Sequence, residues 1–213
     1  VEMLNKERLL EFMHDFTVFD SGRKKFCRPN QYFGVKAAQE RIRKKEGGII
    51  WHTQGSGKSL TMVWLAKWIC ENNPKARVLV ITDRKELDEQ IEKVFSGVEM
   101  SIRRTRSGAE LIQLLNGNEE RLMCSLIHKF GSAEEKESYK DYIEELRRQL
   151  PKDFAAKGDI HVFIDECHRT QSGDLHKAMR SLLGAQALFI GFTGTPLMKK
   201  DKQKSIEVFG SYI

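Results

Sequence analysis

Two short stretches of the chain hold the residue types that phosphate chemistry requires. In WHTQGSGKSLTM, Trp51 to Met62, two glycines, a lysine and a serine follow one another as G-x-G-K-S. That order approaches the phosphate-loop pattern G-x-x-x-x-G-K-[ST], with His52 standing where the pattern has its first glycine. Gly55 and Gly57 let the backbone fold close around phosphates, so that amides from about Gln54 through Ser56 to Ser59 point at them, together with a helix N-terminus. Lys58 then supplies a point charge for the outer phosphates of a nucleotide, and Ser59 a hydroxyl for Mg2+. The second stretch is VFIDECH, Val162 to His168, an apolar run ending in paired carboxylates. At the carboxyl edge of a parallel sheet, Asp165 is suited to hold magnesium, and Glu166 to orient and deprotonate the water that attacks the terminal phosphate.

A third stretch, GFTGTPL, places two hydroxyls, Thr193 and Thr195, on a turn stopped by Pro196. There they can hydrogen-bond the carboxylates or His168 and so couple hydrolysis to movement. By itself T-G-T-P is also an ordinary turn. Cys167 and His168 match no usual zinc spacing and are read as sensing and packing residues.

These residues need a scaffold that brings distant strand ends together. Short branched apolar runs, GGIIWH, ARVLVITD, RLMCSLIH, IHVFIDE and ALFIGFTG, alternate with polar helical patterns. The alternation predicts an α/β fold, a parallel sheet with helices on both faces. GGIIWH reads as a strand, TQGSG as a tight turn and KSLTMVWLAKWICEN as a helix, the context a phosphate loop needs. In the charged stretch from Glu134 to Leu150, the residues Tyr139, Tyr142, Ile143, Leu146 and Leu150 fall on one helical face, which predicts a docked helix. The lysine-rich run from Lys199 to Ser205 reads as a solvated loop.

The chain has 213 residues, 40% of them hydrophobic, enough for one α/β core with extensions. No apolar run approaches the ~18 residues of a membrane span, and VEMLNKERLL lacks the order of a signal peptide, so a cytoplasmic location with no membrane partner is expected. Cys27, Cys70, Cys124 and Cys167 are scattered, which argues against a disulfide framework or zinc knuckle. The net charge of +6 suits a polyanion without requiring one. The chain begins at Val1 and ends in EVFGSYI, and is expected to be a piece of a longer polypeptide.

TQGSGKS, DECH and TGTP in this order resemble motifs I, II and III of superfamily two helicases and translocases, whose motor is a pair of RecA-like domains. More narrowly, WHTQGSGKSLTM, DECHRTQSGD, GFTGTPL and VFGSYI look like the motor subunit, or R subunit, of type I restriction-modification enzymes. The resemblance runs from about Asn30 to Ile213. It implies a first RecA-like ATP-binding P-loop NTPase domain over residues 26–213, with a charged helical insert at about 133–157. Residues 1–25 would be an extension or linker from a preceding domain. It further implies that Gln31 reads the adenine edge. Arg84, Ser125 and Lys129 become possible DNA contacts, with Arg103, Arg104 and Arg106 adding charge nearby. Implied partners are duplex DNA, a second RecA-like domain and a nuclease domain of the same longer chain, and the modification and specificity subunits.

The departures set limits. His52 replaces a small residue, although phosphate binding depends on Gly55, Gly57 and the backbone amides. Motifs IV to VI are missing, with the arginine that reaches the terminal phosphate from the second domain. Such an arginine contributes ~10³ to 10⁵ in rate, so this chain alone is expected to bind ATP and turn it over hardly at all. Glu134 and Lys136 match E-x-K by letter but lie in the charged helical stretch, so no DNA cleavage is expected here. Two alternatives stay open: another superfamily two DNA or RNA helicase, and a nucleotide-gated binding module without turnover.

Overall fold

The computed structural model describes residues 5–20, 22–53, 55–82, 85–127, 135–167, 172–195 and 206–213. Gln54, Arg84, Lys129, Glu134, His168 and the run 199–205 lie outside them, as do the side chains of Lys136 and Tyr139.

Six strands form one all-parallel sheet: β3 (Gly48–Trp51), β4 (Ala76–Thr82), β5 (Arg103–Arg104), β6 (Leu122–Leu126), β7 (Asp159–Ile164) and β8 (Leu188–Thr193). Their spatial order is β3-β8-β7-β4-β6-β5. The five strands expected from sequence are all present, and the parallel α/β class is borne out. β5 was not foreseen; it is a two-residue edge strand beside Met123 and Cys124, with no apolar alternation to reveal it.

Strand alternation splits the interior in two. On one face Ile50, Val78, Val80, Phe163 and Phe192 pack under α2 (Pro29–Arg43), α3 (Lys58–Asn72) and α4 (Lys85–Ser96). On the other, Ile49, Leu79, Ile81, Val162 and Ile164 pack under α5 (Gly108–Asn116), α6 (Glu135–Arg148) and α7 (Ser172–Leu183). In α6 the predicted face is buried at Tyr142, Ile143 and Leu146, while Leu150 follows the helix and packs against the same cluster.

The N-terminal residues join the first of these cores. α1 (Lys6–Asp15) leads into an antiparallel hairpin of β1 (Thr17–Asp20) and β2 (Arg23–Phe26). Phe16 and Val18 are fully buried, and Phe16 packs its ring against Tyr32 and Trp64.

Arg77 anchors the amino edge of the sheet. Its buried guanidinium donates to the carbonyls of Leu114, Leu115, Gly117, Glu120 and Lys157, gathering the end of α5 and the approach to β7. Arg121 does the same for α3, donating to the carbonyls of Cys70 and Asn73. These cations occupy helix C-termini, where the backbone dipoles favour them.

Near that edge His176 of α7 sits edge-on to Phe189 and Phe209, and its Nε2 has no hydrogen-bond partner. Burial, helped by Arg180, pushes its pKa down to about 4 from an ordinary value of 6.5. The folded protein therefore binds fewer protons than the unfolded chain between those two values, so stability falls as pH falls through that window. Replacing His176 with phenylalanine is expected to blunt this loss. Between pH 7 and pH 5 the variant's thermal midpoint should drop several degrees less than the wild type's, each kcal/mol being worth about 2–4 °C at this size. Equal drops in the two proteins would refute the assignment.

Among the described residues no helix is long and apolar enough to cross a membrane. All four cysteines are buried and free.

Candidate nucleotide site

At the carboxyl edge of the sheet the chain leaves β3 and turns into α3. Gly55 and Gly57 both take positive φ, 77° and 88°, a conformation that costs glycine nothing. A Cβ on Gly57 would also collide with Gln31 Nε2. Gly57 is the N-cap of α3 and, having no side chain, offers no cap of its own, and a helix N-terminus of this kind suits an anion. Ser56 folds back on the loop, its amide and hydroxyl donating to the Thr53 carbonyl at 3.1 and 2.6 Å.

Lys58, the first residue of α3, reaches across to β7. Its Nζ lies 3.0 Å from Glu166 Oε1 and 4.0 Å from Asp165 Oδ1, and all three side chains are largely buried. Adjacent residues of a strand face opposite sides of a sheet, so both acids meeting one lysine needs an explanation. The backbone supplies it. The Asp165 amide donates to Ile81 of β4, while the Cys167 amide donates to Phe192 of β8. Strict alternation would return Cys167 to β4, and the phase changes at Glu166, whose φ is 49°. A non-glycine residue in the left-handed region stores strain of about 1–3 kcal/mol, and here it turns Glu166 towards Lys58.

Other residues complete the surroundings. Thr82, the last residue of β4, donates its hydroxyl to Asp165 Oδ2 at 3.5 Å. Gln31 is buried in the first turn of α2, and its Nε2 donates to the carbonyls of Ser56 and Gly57 at 2.9 and 3.1 Å. Its Oε1 accepts from the Arg28 amide at 2.7 Å, capping the helix. Thr193 is buried at the end of β8, where its carbonyl accepts from His52 N and its hydroxyl donates to the Thr195 carbonyl. Thr195 is exposed.

Gln31, Gly55, Ser56, Gly57, Lys58, Ser59, Asp165, Glu166 and Thr193 thus converge on one sheet edge. Thr82 is an addition to the residues named from sequence; its position at the end of an apolar run, like that of Asp165, was the available signal. Ser125 does not reach the surface: it is fully buried, and its hydroxyl accepts from Tyr142 beneath α6. Arg103 and Arg104 are engaged in surface ion pairs with Glu110 and Glu92. Burial, reinforced by Asp165 and Glu166, pushes the Cys167 thiol far up, so it is no nucleophile.

The donor set fits magnesium in one respect. Among the described residues no three acids, histidines or cysteines cluster to hold a metal alone, but Ser59 and Asp165 on facing elements match an ion that keeps its waters and shares phosphate oxygens.

Comparisons with known proteins agree with this architecture. The SWI2/SNF2 ATPase family profile matches residues 30–213. The type I restriction enzyme HindI endonuclease subunit of Haemophilus influenzae is 33% identical over 99% of the chain and 22% of its own length. A Methanocaldococcus jannaschii protein that also carries a type I restriction endonuclease subunit name is 33% identical over 99% of the chain and 20% of its own length. The chain therefore spans about a fifth of these relatives. Among solved structures, the Sulfolobus solfataricus SWI2/SNF2 ATPase core in complex with double-stranded DNA superposes with a TM-score of 0.62. It covers 92% of this chain and 36% of that one at 18% identity, a likeness of fold.

Proposed function

Since the chain belongs to the SWI2/SNF2 ATPase family, we propose that it is the ATP-binding first half of a type I restriction enzyme's DNA-translocating motor. The observation that carries this reading is Lys58 over the two strand-end acids, 3.0 Å from Glu166 and 4.0 Å from Asp165, beneath a loop whose two glycines take positive φ.

In this reading the amides of the loop and of the first turn of α3 bind the phosphates of ATP, and Lys58 leaves Glu166 to neutralise them. Glu166, released, takes up the attacking water and its proton. Asp165, steadied by Thr82, and Ser59 hold magnesium, which when bound supplies positive charge to the outer phosphates. Gln31 faces a choice between the loop carbonyls it now holds and the adenine edge. Thr193, Thr195 and His168 relay the state of the site towards the second RecA-like domain.

Arg84 and Lys129 are the proposed contacts to duplex DNA. In the longer chain a second RecA-like domain supplies the missing arginine, a nuclease domain cuts, and modification and specificity subunits choose the site. The test is ATP turnover by the full-length subunit with duplex DNA or RNA added. Stimulation by duplex DNA is expected; stimulation by RNA alone would favour a helicase of another kind, and no stimulation would favour a binding module.

A further inference from the structure

His52 stands at the one position where the loop departs from the phosphate-binding pattern, and it is far from a passive substitution. The residue follows β3 directly, its amide still in the sheet through the Thr193 carbonyl at 3.0 Å, and it is 8% exposed. The ring reaches two other elements. Its Nδ1 lies 3.3 Å from the hydroxyl of Thr61 in α3, and its Nε2 faces Gly34 of α2. Thr61 in turn lies 3.4 Å from the Gly57 carbonyl of the loop. Space for the ring comes from Gly34, where a Cβ would stand 3.2 Å from His52 Nε2.

One side chain therefore packs between the strand that enters the loop, the helix that carries Gln31 and the helix turn that carries Ser59. A neutral imidazole suits the place, since the Thr61 hydroxyl spends its proton on the Gly57 carbonyl and is left to accept from the ring. Burial, with a smaller contribution from Lys58, holds its pKa below the ordinary value against the pull of the Asn30 carbonyl.

We infer that His52 is a positioning residue for nucleotide binding, which sets the phosphate loop in its ligand-ready shape by clamping it between α2 and α3. The inference rests on the nucleotide-binding reading above. It makes Gly34 part of the same device, since a Cβ there would crowd the ring at 3.2 Å. Preorganisation of this kind lowers the ordering cost of binding without touching the ligand.

The experiment is titration of the 213-residue chain with a fluorescent ATP analogue, for wild type, His52→Ala, His52→Gln and Gly34→Ala, with thermal unfolding of each variant measured without nucleotide. His52→Ala is expected to weaken binding about tenfold while remaining folded at the titration temperature. His52→Gln, which keeps a donor and an acceptor, should recover most of that loss. Gly34→Ala, which pushes the ring by a few tenths of an ångström, should weaken binding to a lesser degree with the ring still present. A folded His52→Ala that binds like wild type, or a His52→Gln no better than alanine, overturns the inference while leaving the nucleotide site standing. If His52→Ala does not fold, Gly34→Ala decides, and wild-type affinity there refutes the clamp. Failure of the wild-type chain itself to bind the analogue removes the nucleotide reading and the inference with it.

Discussion

Replacing Lys58 with alanine is expected to weaken binding of a fluorescent ATP analogue by about 100-fold, equivalent to about 3 kcal/mol. Hydrogen bonds from a charged donor to phosphate contribute about 1.5–3 kcal/mol each, and Lys58 is the loop's only cationic side chain. The substitution has a second effect. Glu166 and Asp165 are 3% and 2% exposed, and without the ammonium between them two buried carboxylates face each other. Their mutual repulsion also opposes an incoming polyphosphate. An alanine variant that binds within threefold of wild type would remove Lys58 from the site.

Glu166→Gln should separate binding from chemistry. In the full-length motor, where the second domain completes the site, it is expected to reduce turnover by about 10²–10⁴-fold, the usual contribution of a general base. Binding should survive and tighten a few-fold. The reason is geometric: Glu166 holds Lys58 at 3.0 Å, so the carboxylate competes with the phosphates for the same ammonium. Glutamine occupies the same volume without the charge and gives up the lysine more readily. The two variants thus move in opposite directions on affinity although they alter the two ends of one ion pair. Weaker binding in Glu166→Gln, matching Lys58→Ala, would mean that the pair is a structural brace rather than a contest between carboxylate and nucleotide.

Much of the framework behind these expectations is legible in the chain itself. The five branched apolar runs become β3, β4, β6, β7 and β8, because a central parallel strand is buried on both faces and its sequence must be apolar throughout. The helix KSLTMVWLAKWICEN starts at Lys58 and ends at Asn72, where Asn73 and Pro74 break it. The parallel order then carries Lys58 to Asp165 without further information, since both follow strands that end on the same edge.

What escaped reading has specific physical causes. The hairpin of β1 and β2 was signalled only by Asp20-Ser21-Gly22, a turn sequence between runs too short and too polar to announce strands. Ser125 alternates onto the face covered by α6, and nothing local to it predicts that Tyr142 will cover it. The left-handed backbone of Glu166 is invisible in composition, because glutamate has no preference for it and tertiary contacts on both sides impose it. The ring of His52 has its room from Gly34, eighteen positions earlier in the sequence and on α2. Such pairings belong to the packed fold, and a residue pattern read along the chain does not contain them.

The central claim is that this chain is a nucleotide-binding half-site that does not run alone. The measurement that tests it most directly is ATP turnover by the 213-residue chain, with and without linear duplex DNA, beside Lys58→Ala and with analogue binding followed on the same samples. The account predicts binding that depends on Lys58 and turnover at background in both conditions. Turnover that depends on Lys58 and rises with duplex DNA would contradict it, placing the missing positive charge within this chain or a second copy of it.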